Sequence, residues 1–247
     1  MALNARKAPM GGGKQGPQQE PIDAGSYPCR VVQVLDLGLQ EQRPWQGEPK
    51  PPAHEIMITY EFLDEYCLDE DGEEIEDKPR WLSETFPLRN LDSELAKSTK
   101  RYYALDADEV HEGDFTALIG TPCNVVVVQN PGKGKNAGKI YNNIQAVSAM
   151  RPKEAKKAAP LVNPSKVLVL EELDAGVFFS LPQWLQDKIK GNLEYAGSDA
   201  EEVIDQGPPV KEEEGKAKKK AKKKAKPPME EDGVDEVEDK EDDEGEW

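Results

Sequence analysis

The length of 247 residues allows one or two domains, but a hydrophobic fraction of 36% and a mean hydropathy of -0.77 argue against a core that fills the chain. The net charge of -17 opposes the binding of a polyanion by the chain as a whole. Three widely separated cysteines and two histidines argue against a zinc site or a disulfide framework, so we expect no metal and no cofactor.

The first 21 residues consist mainly of Gly, Pro, Gln and Lys, and we predict that they form a disordered arm. They contain no apolar run of signal-peptide length, and no segment of the chain reaches the roughly 18 apolar residues of a membrane span. We therefore expect a soluble, cytoplasmic protein with no membrane partner.

Three strands are predicted after this arm. Residues 26–37 are rich in β-branched side chains, and residues 55–62 alternate large apolar with other residues. Residues 80–86 form the third strand. The Pro-rich residues 40–54 are predicted to be a long loop between the first two strands.

One helix and two more strands complete this region. Residues 93–105 consist of helix-forming side chains, residues 122–129 form a buried strand, and residues 139–147 form the returning strand beyond a Gly- and Lys-rich turn. The order β-β-β-α-β-β is that of a five-stranded OB-type Greek-key barrel. We therefore assign a mainly β OB fold to residues 22–150.

Residues 151–196 are predicted to be a basic connector and a short helical appendix. Leu185, Ile189 and Leu193 lie on one face of a helix at these spacings, so the appendix can pack on the barrel.

The remaining residues, 197–247, are predicted to be a disordered charged tail. They hold 19 acidic and 10 basic residues, a charge of -9, which leaves -8 for the rest of the chain. The tail contains a Lys-rich run at residues 216–226 and an acidic block at residues 230–247.

The basic residues of the folded region are concentrated late in the sequence, where residues 120–166 carry eight of them against a single acid, Glu154. In OB folds, the loops between strands one and two and between strands four and five flank the binding face. Both loops here carry cations, and aromatic rings beside cations stack on nucleic-acid bases. The candidate DNA-binding residues are Arg43, Trp45, Lys50, Trp81, Lys97, Lys100, Arg101, Lys133, Lys135, Lys139, Tyr141, Arg151 and Lys153.

These aromatic candidates differ in their predicted environment. We expect Trp45 and Tyr141, which lie in or beside the loops, to be exposed. We expect Trp81 and Tyr60 to lie in the barrel core. The basic residues of the predicted helix either extend the binding surface or form a solvated helix face.

The sequence contains none of the catalytic motifs that we considered. The glycine loop at residues 132–138 lacks the spacing and the hydroxyl of a P-loop, and there is no G-x-S-x-G motif and no plausible Cys/His dyad. We predict a non-enzymatic protein that binds single-stranded nucleic acid with little sequence preference. The alternatives are an acidic scaffold without nucleic acid, and a metal-dependent nuclease or its accessory subunit.

The acidic tail ends in an aromatic residue. A terminal ring and carboxylate behind an acidic run can enter an apolar pocket that is surrounded by Lys and Arg. The predicted partner-binding residues are Asp242, Asp243, Glu244, Glu246 and Trp247.

Together these segments resemble the single-stranded DNA-binding proteins of bacteria and their viruses. The resemblance rests on GSYPCRVVQVLDLG, EIMITYEFLDE, KPRWLSETFPL and LIGTPCNVVVV with KIYNNIQAV, and on the terminal EDDEGEW. It implies coating of single-stranded DNA in replication, recombination and repair, and recruitment of a polymerase, helicase, primase or recombinase through the tail. It is compatible with homo-oligomers and, for a viral protein, with the bacterial host cytoplasm. The Lys-rich run departs from the purely acidic tails of this class.

Overall fold

Six strands and five helices form residues 19–209, the part of the chain that the computed structural model describes. The strands are β1 (Gly25–Trp45), β2 (Glu48–Leu68), β3 (Glu74–Pro87), β4 (Pro122–Pro131), β5 (Ile140–Ala149) and β6 (Lys166–Leu168). The helices are α1 (Lys97–Leu105), α2 (Pro152–Ala155), α3 (Ala175–Phe179), α4 (Gln183–Lys190) and α5 (Asp199–Asp205). The predictions for residues 1–18 and 210–247 lie outside the described residues.

The first five strands form an antiparallel sheet in the order β3-β2-β1-β4-β5, and β6 pairs in parallel with β1. This confirms a mainly β fold with helices after the sheet, but the predicted closed barrel is wrong. Within the described chain, β3 and β5 lie side by side without pairing. We call this open junction the β3–β5 seam.

A side chain of α1 spans the seam in place of backbone pairing. Arg101 Nε lies 2.6 Å from Glu84 Oε1 in β3, and Arg101 Nη2 donates to the Gln145 carbonyl of β5 at 3.4 Å. Both Arg101 and Glu84 are buried. The guanidinium therefore links the two sheet edges that a barrel would join by backbone hydrogen bonds.

One core lies on the inner face of the sheet, the face that α1 covers. Ile58, Tyr60 and Phe62 of β2 point into it at alternating positions, as period-two strand geometry requires. Tyr102 of α1 packs there as well. The helix begins at Lys97, later than predicted, because residues 90–96 form turns.

A second core lies on the opposite, outer face of β1 and β2. Leu35 and Met57 pack there against the appendix, which contributes Leu185 and Ile189 from α4. Leu193 was predicted to share this helical face, but it is exposed. The helix ends before Gly191, and the backbone N–H of Leu193 donates to the carbonyl of Leu39.

The folded region extends beyond the predicted start of the tail. Helix α5 begins after Ser198, whose side chain accepts a hydrogen bond from the Glu201 N–H at 3.2 Å. Its residue Ile204 is buried in the second core, on the outer face of the sheet, which we call the outer core. At the other end, the Gln19 side chain, predicted to be part of the arm, exchanges two hydrogen bonds of 2.8 Å with the Leu68 backbone.

The predicted loop at residues 40–54 is instead the end of a long β1–β2 hairpin. Gln46 and Gly47 have φ values of 53° and 89°, as a two-residue turn that matches strand twist requires. The last β2–β3 pair joins Glu55 to Pro87, so the prolines of β2 before this pair lie where no third strand requires the N–H donor that proline lacks.

Candidate nucleic-acid interface

The tip of the β1–β2 hairpin brings together three predicted site residues. Arg43, Trp45 and Lys50 are all exposed, and Trp45 retains 63% of its accessible surface. Lys50 Nζ lies 5.2 Å from the centroid of the Trp45 ring. The hairpin therefore presents an aromatic face with a cation beside it to solvent.

The β4–β5 turn brings together four more. Lys133, Lys135 and Lys139 are exposed, and Tyr141 is 41% exposed at the start of β5. The turn is closed by a 2.7 Å hydrogen bond from the Gly132 N–H to the Lys139 carbonyl. A Cβ atom on Gly132 would lie 2.2 Å from the Asn136 carbonyl oxygen and 2.9 Å from the Tyr141 ring. Only glycine allows this close approach.

The two groups lie at opposite ends of β1. The β4–β5 turn follows the pairing of Val127 with Gly25, the first residue of β1, whereas Trp45 is the last residue of β1. A ligand that contacts both groups must therefore cross the face of the sheet between them.

Trp81 lies on the outer face of β3 and not in the core. It pairs with Glu61 of β2 on the outer face and is 50% exposed, whereas Tyr60, the residue before Glu61, is fully buried on the inner face. The prediction for Tyr60 is confirmed, and the core prediction for Trp81 is wrong. The inner position of this part of β3 is taken by Glu84, which is buried against Arg101.

A cavity of about 400 Å³ adjoins the Trp81 ring. We call it the Trp81 pocket. Its lining includes Gln19, Cys67, Lys78, Arg80, Trp81 and Asn163. Small-molecule sites commonly measure roughly 300–1,000 Å³, so the pocket has the size of a ligand site.

One wall of the pocket belongs to the segment that we call the strap, residues 156–165. The strap crosses the outer face and is fixed on β1 by Arg30. Arg30 donates to the carbonyls of Ala159 at 2.6 Å and Ala158 at 3.0 Å, and also to the Gly120 carbonyl at 2.6 Å. One guanidinium thus joins the strap to the sheet.

Glu61, the cross-strand partner of Arg30, fixes the next part of the strap. Its carboxylate accepts hydrogen bonds from the Val162 N–H at 2.8 Å and the Asn163 N–H at 2.9 Å, and from Asn163 Nδ2 at 2.7 Å. Glu61 is completely buried. Arg30, Glu61 and Trp81 therefore form one row across three strands, and the strap covers the first two.

The three candidate residues in α1 differ in whether a ligand could reach their charge. Arg101 is buried against Glu84 and is withdrawn as a binding residue. Lys97 Nζ lies 2.7 Å from Glu84 Oε2, so this cation is already paired. Lys100 is exposed beside Tyr103, in a groove between α1 and β5. Of the three, Lys100 alone keeps an unpaired charge within the described residues.

Arg151 and Lys153 are exposed at the start of the connector. Arg151 makes only a 4.0 Å contact with Glu154, an exposed pair of small energetic value. Lys156 and Lys157 continue the exposed basic series into the strap. Where the outer face is covered, the exposed cations are therefore those of the connector and the strap and not those of the sheet.

Other cavities have a different character. A cavity of about 440 Å³ between the sheet and the appendix is lined in part by Asp36, Glu171, Glu194 and Asp199, which would repel phosphate. No group of three or more His, Cys, Asp or Glu side chains within residues 19–209 is arranged to hold a metal ion. None of the helices of this region is long and apolar enough to cross a bilayer.

The three thiols lie in contrasting environments. Burial raises the pKa of the Cys29 thiol, and it raises the pKa of Cys123 to about 12. These two residues face each other across β1 and β4 on the inner face. Cys67 lies in the wall of the Trp81 pocket and is partly exposed.

The sequence interpretation missed Lys78, Arg80 and Asn163. The first two precede Trp81 in the segment Lys-Pro-Arg-Trp, a basic and aromatic pattern that is visible in the sequence. Asn163 carries no such signal, because the strap that brings it to the pocket is placed by Arg30 and Glu61.

Comparison of the chain with protein-family models and with curated proteins gives no match.

Proposed function

We propose that this protein binds single-stranded DNA through the exposed part of the sheet and performs no chemistry on it. The observation that carries the proposal is the placement of three exposed aromatic rings, each beside cations. Trp45 lies under Lys50, Trp81 shares its pocket with Lys78 and Arg80, and Tyr141 adjoins the basic β4–β5 turn. Rings stack on bases of any sequence while cations meet the phosphates.

The strand order supports an OB-type assignment. We infer that the sheet is an OB barrel opened at the β3–β5 seam, with α1 between the third and fourth strands. In such a barrel, the hairpin tip and the β4–β5 turn border the binding face, and Trp81 lies between them. The net charge of -17 does not oppose this function locally, because the hairpin tip and the β4–β5 turn both carry exposed cations.

We also propose that the acidic end of the chain, with Trp247 at its terminus, recruits a replication protein. Its charge favours a partner surface rich in Lys and Arg.

The test is fluorescence anisotropy of a labelled thymidine oligonucleotide on the order of 30 nucleotides, longer than one OB fold covers. The full chain and a variant ending at Pro209 are titrated at about 50 and 200 mM salt. The variant ends at Pro209 because a chain cut at the predicted start of the tail, residue 197, would lose Ile204 from the outer core. We expect tight binding that weakens by at least tenfold at the higher salt concentration.

A duplex of the same length is the control ligand, and we expect it to bind more weakly because its bases are not available for stacking. If neither chain binds the single strand at low salt, the nucleic-acid function is wrong and the acidic scaffold alternative takes its place. Loss of the oligonucleotide itself in Mg²⁺ would instead support the nuclease alternative.

A further inference from the structure

The outward position of Trp81 is imposed by the register of β3. Its neighbour Leu82 packs against the inner core, as alternating strand geometry requires, and Glu84 is held on the inner face by Arg101. The large ring is thereby kept at the surface, although its transfer from water to the core would be favourable. The register of β3 therefore holds the ring where a ligand can reach it.

The walls of the Trp81 pocket are fixed from three sides. Gln19 is held to the backbone of Leu68 by its two side-chain hydrogen bonds. Arg80 Nη2 donates to the Glu20 carbonyl at 2.6 Å, and the hydrogen bonds to Glu61 hold Asn163 in place. The segments before and after the sheet therefore converge on one cavity. A site whose walls are held in place loses little conformational entropy when a ligand enters.

The chemistry of the pocket selects a planar group that carries a negative charge on one side. Trp81 offers a ring face, and Lys78 and Arg80 form no ion pair with a carboxylate in the described part of the chain. A guanidinium can both stack on a planar ring and bind a phosphate. An unpaired nucleotide combines the planar ring with the phosphate.

We propose that the Trp81 pocket holds one unstacked nucleobase of the bound strand, with its phosphate at Lys78 and Arg80 and with the strap residue Asn163 as a wall. This inference rests on the proposed function and gives it a defined subsite. It also assigns the strap to the nucleic-acid site, because release of Asn163 would remove one side of the pocket.

Two measurements test the subsite with a thymidine oligonucleotide. The first compares the affinities of Trp81→Ala and Trp184→Ala, because Trp184 is a similarly exposed tryptophan, at 60%, on α4. We expect Trp81→Ala to bind about five- to 150-fold more weakly and Trp184→Ala to bind as the natural chain does. Trp81→Phe should restore most of the affinity.

The second measurement needs no substitution. Cys67 lines the pocket, whereas Cys29 and Cys123 are buried, so a thiol reagent of the iodoacetamide type reports on the pocket. We expect a saturating amount of the oligonucleotide to slow the alkylation of Cys67 severalfold. Peptide mass spectrometry identifies the modified residue.

The outcomes separate the two proposals. If the natural chain binds the oligonucleotide but Trp81→Ala binds equally well and Cys67 is not protected, the subsite is wrong and the function stands. If the natural chain does not bind, the function itself is wrong. Should Trp81→Ala unfold, the protection of Cys67 in the natural chain decides the question alone.

Discussion

Over β1 and β2 the outer face of the sheet lies beneath the strap and the appendix, whereas over β3 the same face is exposed at Trp81. The boundary falls within one row of cross-strand neighbours, since Arg30 and Glu61 hold the strap and Trp81 follows them. The surface that a ligand can reach is therefore decided by where the cover ends and not by the sheet alone.

The two regions also differ in charge. The cavity under the appendix is lined by several carboxylates, whereas the Trp81 pocket has Lys78 and Arg80 in its lining. A strand of DNA would be repelled from the first region and attracted to the second. The difference explains how a chain of net charge -17 can keep a local surface suited to a polyanion.

The largest effect is expected where the exposed region is anchored to α1. Arg101→Ala leaves Glu84 buried with Lys97 as its remaining cation. The loss of one partner of a buried pair costs about 3–5 kcal/mol, so we expect the free energy of unfolding in urea to fall by that amount. Lys97→Ala is the control, and because 44% of the Lys97 side chain is exposed, it should cost about 1 kcal/mol or less. Small effects in both variants would show that Arg101 does not hold the seam.

The covered region can be released at Glu61. Glu61→Ala removes the acceptor of three hydrogen bonds from the strap, and we expect it to destabilise the fold by about 2–3 kcal/mol. Trypsin should then cleave faster after Lys156 and Lys157. Glu154→Ala is the control at an exposed carboxylate, with an expected change within about 0.5 kcal/mol. Unchanged cleavage in Glu61→Ala would mean that the strap is held by other contacts.

The basic turn beyond the exposed region should determine the salt dependence of binding. Replacing Lys133, Lys135 and Lys139 with Ala removes three phosphate contacts, each worth about 0.7 in the slope of log K against log salt for a single strand. We expect the slope, measured by anisotropy, to become shallower by about 2. Lys190→Ala, at an exposed cation on α4, should leave it unchanged. An unchanged slope in the triple variant would remove the turn from the interface.

The sequence predicts the strands of the sheet well where apolar residues alternate, as in β2, and it places α1 between β3 and β4. The β3 segment shows why it fails elsewhere. The sequence predicts Trp81 in the core, but the structure exposes Trp81 and buries Glu84. The reason is Arg101, 17 residues later, which pairs with Glu84 inside the fold. A long-range ion pair leaves no periodic signal in one strand.

Two other predictions were wrong although the sequence contained a local signal: the start of the tail and the loop at residues 40–54. Ser198 and Glu201 have the spacing of a helix-capping pair, which indicates α5 within the segment assigned to the tail. The prolines of residues 48–54 suggested a loop, but a two-stranded hairpin accepts them on its open edge. The exposure of Trp45 and Tyr141 and of the cations near them was predictable, because such residues in short connections need no tertiary information to be exposed. The strap was not, because Arg30 and Glu61 bind its backbone and not its side chains, apart from Asn163.

The smallest effect, and the sharpest test of which regions are accessible, concerns the thiols. Cys29 and Cys123 are buried with raised pKa values, of about 12 for Cys123, whereas Cys67 is partly exposed and accessible to a thiol reagent. We expect one thiol per native chain to react with a chromogenic disulfide reagent, and all three to react in denaturant. Cys67→Ser is the control and should show no rapid reaction in the native state.

The two buried thiols can react only when the sheet opens. Their rate should therefore follow the unfolding rate and increase in Arg101→Ala, while the rate of Cys67 stays the same. Rapid reaction of two thiols in the native chain would mean that the inner core opens at β1 and β4, and the contrast between covered and exposed regions would then not describe the protein in solution.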